Sequence, residues 1–126
     1  GEAMSKIRGT AVERELVHMF WDRGWAACRV AGSGSMRYPS PDILASNGIS
    51  LFAVECKSSR KDNIYIPLQE MKELEDFSRL FKALPLIGTR FAKQEWRFVK
   101  PDMASTTEKF AVFKPGQGAT FDQLTK

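Results

Sequence analysis

Two strand-like segments, 42–46 and 49–57, meet at Asn47-Gly48, and that junction limits the fold more than any other part of the 126-residue chain. Asn-Gly between apolar runs is the strongest short hairpin signal, because both residues tolerate the positive φ of a type I′ turn. A two-residue turn pairs Ser46 with Ile49 and sets Asp42 opposite Ala53. Side chains alternate between the faces of a strand, so Ala53, Glu55 and Lys57 share a face with Asp42. Asp42 and Glu55 are then diagonal neighbours, with Cα atoms roughly 7–8 Å apart. Two carboxylates at that separation can converge on one divalent cation. The second strand opens Ile49-Ser50-Leu51-Phe52-Ala53-Val54, which is apolar on both faces and reads as a buried central strand. A Glu and a Lys at its end cost free energy unless they are paired or placed in a site. A plain ion pair at a solvated strand end explains Glu55 and Lys57 taken alone. Asp42 on the same face, behind Pro41, makes a site the better reading.

Elsewhere the elements are read from period and punctuation. Thr10-Ala11-Val12-Glu13 reads as a capping box that opens a first helix, and Gly24 ends it. At roughly 100° per residue, Val12, Leu16, Val17, Met19, Phe20 and Trp21 fill one arc, while Arg14, Glu15, His18 and Asp22 fill the other. Glu13 falls between Phe20 and Val17, inside the apolar arc, so it is expected to face the body of the protein; capping is its bland alternative. A short strand follows from Ala26 to Val30, then a flexible loop, Ala31-Gly32-Ser33-Gly34-Ser35. Pro39 and Pro41 keep the next stretch extended. Ser58 to Asn63 reads as a polar loop. A second helix starts at Pro67 and runs to about Lys82, with Leu68, Met71, Leu74, Phe77 and Phe81 on one face. Leu84 to Phe91, Trp96 to Val99 and Phe110 to Phe113 read as later strands. The order α-β-β-β-α-β-β-β predicts an α/β fold, a mixed central sheet flanked by helices.

Composition narrows the function. Hydrophobic residues at 43% and charged residues at 27% describe a globular chain of one domain, expected over 4–126. Gly1, Glu2 and Ala3, before Met4, are expected to be left over from cloning. With 19 Lys or Arg against 15 Asp or Glu, the net charge is +4 and the pI about 9.2, which suits nucleic acid without demanding it. No apolar run approaches the roughly 20 residues of a membrane span, and no export signal opens the chain. A cytoplasmic protein without membrane contact is expected. Cys28 and Cys56 sit in apolar runs and read as buried, reduced thiols. His18, the lone histidine, lies on the solvent arc, which argues against a His general base. There is no HExxH, no pair of CxxC motifs and no Gly-rich nucleotide fingerprint, so zinc, NAD and ATP sites have no support.

Pro41-Asp42, a spacer, then Glu55-Cys56-Lys57 resembles the core of the PD-(D/E)XK nucleases, whose fold is restriction-endonuclease-like. That resemblance implies that the acidic pair binds Mg²⁺, with Mn²⁺ as a substitute, and that Lys57 lies beside the attacking water. The chemistry agrees, since Mg²⁺ keeps several waters and uses one or two carboxylates. Cys56, between them, faces the other side of the strand. A closer resemblance joins Gly9-Thr10-Ala11-Val12-Glu13-Arg14, Gly32-Ser33-Gly34-Ser35, Pro41-Asp42-Ile43 and Glu55-Cys56-Lys57-Ser58. Together they look like the archaeal Holliday junction resolvases of the Hjc type. After Asn63 the resemblance extends to the fold alone.

The resemblance implies an active site of Glu13, Ser33, Asp42, Glu55 and Lys57, with Ser35 as the alternative loop serine. Asp42 and Glu55 would hold the metal, assisted by Glu13 directly or through water. It further implies four-way junction DNA as substrate and a homodimer, because two symmetric cuts need two sites. Trp96, Phe98, Phe110 and Phe113 supply apolar surface enough for a dimer face, although each taken singly reads better as ordinary core. Lys6, Arg8, Arg29, Arg37, Arg60 and Lys61 flank the catalytic loops and are the expected phosphate contacts, which position DNA without reading sequence. Gln69 resembles a Gln carried by some of these nucleases. Recruitment by a sliding clamp or a helicase is left open. The alternatives are another PD-(D/E)XK nuclease, of restriction or repair type, and a non-catalytic junction-binding protein.

Overall fold

The computed structural model describes residues 2–31 and 38–126, excluding the side chains of 2–8. Ser33, Ser35 and Arg37, and the side chains of Lys6 and Arg8, therefore lie outside the described residues. The elements run α1 (Glu2–Asp22), β1 (Ala26–Arg29), β2 (Ile43–Ser46), β3 (Leu51–Ser59), β4 (Ile64–Pro67), α2 (Leu68–Phe81), β5 (Leu84–Phe91), β6 (Arg97–Val99), β7 (Ser105–Thr106), β8 (Phe110–Phe113), β9 (Ala119–Thr120) and α3 (Phe121–Leu124), with a 3₁₀ turn at Pro101–Met103. Six strands form a mixed sheet in the order β1-β2-β3-β5-β6-β9, and β4-β8-β7 form a small second sheet.

The first helix starts well before the expected cap at Thr10. Residues 2–8 are mostly good helix formers, and they carry the helix through Gly9 against a cost of about 1 kcal/mol. Thr10 and Glu13 are interior positions, so the capping box is not formed and Glu13 is released from that role. Gly24 ends the helix as expected, with φ at +86°. Its N–H donates to the Trp21 carbonyl at 3.0 Å, and the Trp25 N–H donates to the Phe20 carbonyl at 2.9 Å, a Schellman motif. The Phe20 and Trp25 rings seal it at 5.6 Å. Trp21, expected on the apolar arc, is 57% exposed. Its indole N–H donates to the Ala27 carbonyl at 2.8 Å, which holds the ring along the outside of the sheet edge.

The hairpin forms with a different turn. Ser46 pairs with Leu51, not Ile49, so the loop spans 47–50. Asn47 keeps a negative φ and only Gly48 takes a positive one, at +90°, which excludes a type I′ turn. The Asn47 side-chain oxygen instead accepts the N–H groups of Ile49 at 2.9 Å and Ser50 at 2.7 Å. This side-chain turn consumes two extra residues. The register slips by two, which preserves the face of every side chain.

Beyond the hairpin, β3 runs parallel to β5 from Phe52–Leu84 to Ser59–Phe91, with β4 and α2 forming the crossover. Alternation along β3 then divides the core. Phe52 and Val54 pack with Leu16 and Phe20 of α1 and with Trp25, Trp96, Phe98 and Phe121. Ala53 packs with Met71 and Leu74 of α2, Ile64 and Ile66 of β4, and Phe113. Trp96, Phe98 and Phe113 are at most 3% exposed and belong to the core, so they do not offer a dimer face; Phe110 alone of the four is exposed, at 37%. Cys56 packs against the α1 cluster, whereas Cys28 is exposed, because β1 is a sheet edge and Cys28 lies on its outer side.

Gly118 has φ at +98°, and a Cβ there would strike the Phe98 carbonyl oxygen. Gly118→Ala is expected to destabilise the protein by roughly 2–4 kcal/mol, combining backbone strain with a backbone clash. Urea unfolding, followed by the midpoint at constant slope, measures it.

Candidate active site

Asp42 lies one step before the first residue of β2. Its N–H donates to the Val54 carbonyl at 3.0 Å while its carbonyl accepts the Val30 N–H at 2.9 Å, so the regular ladder, which ends at Ile43–Val54, breaks at Asp42 in a bulge-like step. One Asp42 oxygen, Oδ2, accepts the Cys56 N–H at 2.8 Å, which fixes the side chain against β3. Glu55 is half-buried, and its Oε1 is enclosed with no hydrogen-bond partner among the described residues. Leaving a buried carboxylate oxygen unpaired is costly. Burial first, then the Asp42 carboxylate close beside it, push the Glu55 carboxyl up to about 8, with Lys57 opposing and Glu70 adding to the rise.

That pair faces the α2 side of the sheet, where a hollow of about 180 Å³ is lined by Pro39, Ser40, Glu55, Glu70, Glu73 and Leu74. Lys57, two residues along β3, points to the same side and its Nζ stands 3.8 Å from Glu70 Oε1. Glu70, in the first turn of α2, is a member of the site that sequence reading missed; a single acid on an amphipathic helix carries no motif. Gln69 beside it is exposed and donates to Glu73 at 3.3 Å.

Glu13 approaches from α1. Its Oε1 accepts the Arg29 Nε–H at 3.1 Å, so Arg29 of β1, expected on DNA, is engaged by an acid of the same region. Burial and then the charge of Asp42 raise the Glu13 carboxyl, while Arg29 pulls it down. Among the described residues no three His, Cys, Asp or Glu side chains surround a common point. The structure thus brings Asp42 and Glu55 together, sets Lys57 beside them, and turns Glu13 toward Arg29. Arg60 and Lys61 are exposed in the loop after β3. His18 is exposed as well.

The residues fit a divalent cation. An enclosed oxygen without a partner among the described residues, a second carboxylate beside it and an acidic hollow make an all-oxygen donor set of the kind hard cations take. Two carboxylates suffice for an ion that keeps most of its waters. The arrangement can hold charge against a phosphodiester and place an ammonium beside it.

Comparison with known proteins extends this picture. Residues 4–126 match the family model described as archaeal Holliday junction resolvase (Hjc). The chain is 38% identical over 104 residues to the crossover junction endodeoxyribonuclease Hjc of Archaeoglobus fulgidus, covering 82% of this chain and 76% of that one. It is 36% identical over 104 residues to the crossover junction endodeoxyribonuclease Hje of Saccharolobus solfataricus, covering 80% of this chain and 77% of the other. A 1.6 Å structure of the Archaeoglobus fulgidus Hjc, described as a Holliday junction resolvase from an archaeal hyperthermophile, superposes with a TM-score of 0.88 at 32% identity, over 94% of this chain and 100% of that one.

Proposed function

Since the chain belongs to the archaeal Holliday junction resolvase family, and is on that ground a divalent-metal-dependent endodeoxyribonuclease of four-way junctions, we propose that it cuts by paired symmetric phosphodiester hydrolysis at a site built on Asp42, Glu55 and Lys57. The observation that supports this site best is the enclosed Glu55 Oε1, without a partner among the described residues, beside Asp42, whose Oδ2 accepts the next residue's N–H, that of Cys56. Asp42 and Glu55 hold the cation, Mg²⁺ or in its place Mn²⁺. When bound, the cation acidifies a coordinated water and neutralises charge on the phosphodiester. Lys57, on the same face of β3, orients the attacking water or stabilises the charge that develops in the pentavalent transition state. Glu13 assists through its proximity to Asp42, and Ser33 helps to position the scissile phosphate. Arg60 and Lys61, with Lys6, Arg8, Arg29 and Arg37, are the proposed phosphate contacts; such contacts carry no sequence information, which suits recognition by shape.

Two symmetric cuts require two sites, so a homodimer is part of the proposal. Its apolar surface comes from the end of α2, where Leu80 is 78% and Phe81 48% exposed, in place of the core aromatics Trp96, Phe98 and Phe113.

Incubation with a labelled immobile four-way junction and an equal-length linear duplex, with Mg²⁺ or with EDTA, tests this reading. Paired nicks are expected on the junction alone, and none in EDTA. Cutting of the linear duplex would assign the site to a nuclease of restriction or repair type. Junction binding without cutting would make the protein an architectural binder.

A further inference from the structure

Glu15 was expected on the solvent face of α1, yet it joins three elements. Its Oε1 accepts the indole N–H of Trp96 at 2.6 Å and the Nε–H of Arg90 at 3.0 Å. Trp96 is 2% exposed, and Glu15 is the acceptor for its indole N–H. Arg90, at the end of β5, also donates from Nη1 to the carbonyls of Phe91 and Gln94. Those two carbonyls belong to the β5–β6 turn, in which Lys93 holds a positive φ of +63°. One carboxylate oxygen therefore ties α1 to β5 and to the base of β6.

The geometry around α1 gives that tie a purpose. Leu16 and Phe20, both fully buried, mark the centre of the buried stripe. Glu13 lies on one flank of it, bonded to Arg29 of β1, and Glu15 lies on the other, bonded to Arg90 and Trp96. Rotation of α1 about its own axis would be resisted on both flanks at once. Glu15 does not line the hollow at Glu55. It borders a separate one of about 270 Å³, between α1 and Ser58, Ser59, Arg60, Arg90 and Lys93.

We propose that Glu15 is a positioning residue: through Trp96 and Arg90 it fixes the rotation of α1, and so holds the Glu13 carboxylate on Arg29, at the edge of the site. The inference rests on the role given to Glu13 above. Misplacement of a catalytic group by about 1 Å can cost up to ~100-fold in rate.

Glu15→Ala and Glu15→Gln test it, compared with the parent in single-turnover cleavage, in junction binding with EDTA, and by NMR of the side-chain N–H groups of Trp96 and Arg29. Glu15→Ala is expected to slow cleavage by about 10- to 50-fold at saturating protein while junction affinity stays within about twofold. The Trp96 indole resonance moves upfield, and the Arg29 Nε–H resonance shifts on the far flank of the helix. Glu15→Gln keeps an acceptor oxygen and is expected to recover most of the rate and both resonances. Unchanged cleavage in Glu15→Ala, or an unmoved Arg29 resonance, overturns the proposal. Affinity that falls in step with rate overturns it too, by making Glu15 part of a DNA-binding surface. A parent protein that leaves the junction uncut refutes the resolvase reading instead, and the two resonances still report whether the brace acts across α1.

Discussion

Glu55→Gln is expected to abolish junction cleavage and, without metal, to make the protein more stable at alkaline pH. The cleavage loss, about 10³-fold or more, follows from removing one of two anionic ligands, since a bound cation contributes several kcal/mol to the barrier. The stability gain follows from the raised Glu55 carboxyl. Near pH 4 the carboxyl is protonated in folded and unfolded chains alike, and the variant and the parent are equally stable in this respect. As pH climbs from the ordinary 4.5 toward about 8, the unfolded chain sheds its proton while the folded chain retains it, so the parent loses stability across that window. Above it the penalty is constant, on the order of a few kcal/mol, because each tenfold difference in proton affinity between the folded and unfolded chains is worth about 1.4 kcal/mol. Glutamine carries no proton to lose, so this contribution is absent from the variant and its stability falls less across the same window. Thermal melts from pH 4 to 9 in EDTA measure the divergence, and adding Mg²⁺ should narrow it by stabilising only the parent. Curves that run parallel across the range would show that the pair does not strain the fold.

Asp42→Ala has a second kind of cost. Like the Glu55 change it should lower cleavage by about 10³-fold or more. It also strips the acceptor from the Cys56 N–H, a bond made at 2.8 Å in the partly buried middle of β3. Leaving that donor unpaired is expected to destabilise the fold by about 1–3 kcal/mol. Asp42→Asn separates the two effects. Its amide oxygen can still accept from Cys56, so stability should be largely kept while cleavage stays lost. Denaturant titrations of the two variants beside single-turnover rates check this, and an asparagine variant as unstable as the alanine one would overturn the backbone role.

The shared face of Asp42, Glu55 and Lys57 was legible in the sequence even though the turn was misread. Face depends on parity, and a slip of two residues leaves parity intact; the loop type depends on whether Asn47 spends its side chain or its backbone on the turn, which residue identity does not decide. The end of α1 was legible because Gly24 is required at a positive φ. Its start was not, since helix propensity in residues 2–8 outweighs a capping signal at Thr10. Strand β4 was hidden by its brevity and by Pro67, its last residue, which reads as the start of a helix. The short C-terminal strand β9 and helix α3 were not read at all, though Thr120 and Gln123 form a capping box there. Glu15 was the least legible of all: its partners lie 75 and 81 residues away, and only the fold brings Arg90 and Trp96 to the flank of α1.

The placement of β3 between β2 and β5 has an order in time. On one side its partner is adjacent in the chain, and closing the Asn47 loop is fast and entropically cheap. On the other side the parallel ladder to β5 waits until β4 and α2 have crossed over, a remote pairing of the kind that slows folding. Asp42 and Glu55 sit on the local side of that divide. The acidic pair can therefore meet within a hairpin, while the enclosure that traps Glu55 Oε1 and aligns Lys57 with α2 arrives only with the long-range half of the sheet, so the electrostatic strain of the site is deferred until the rest of the fold is there to bear it.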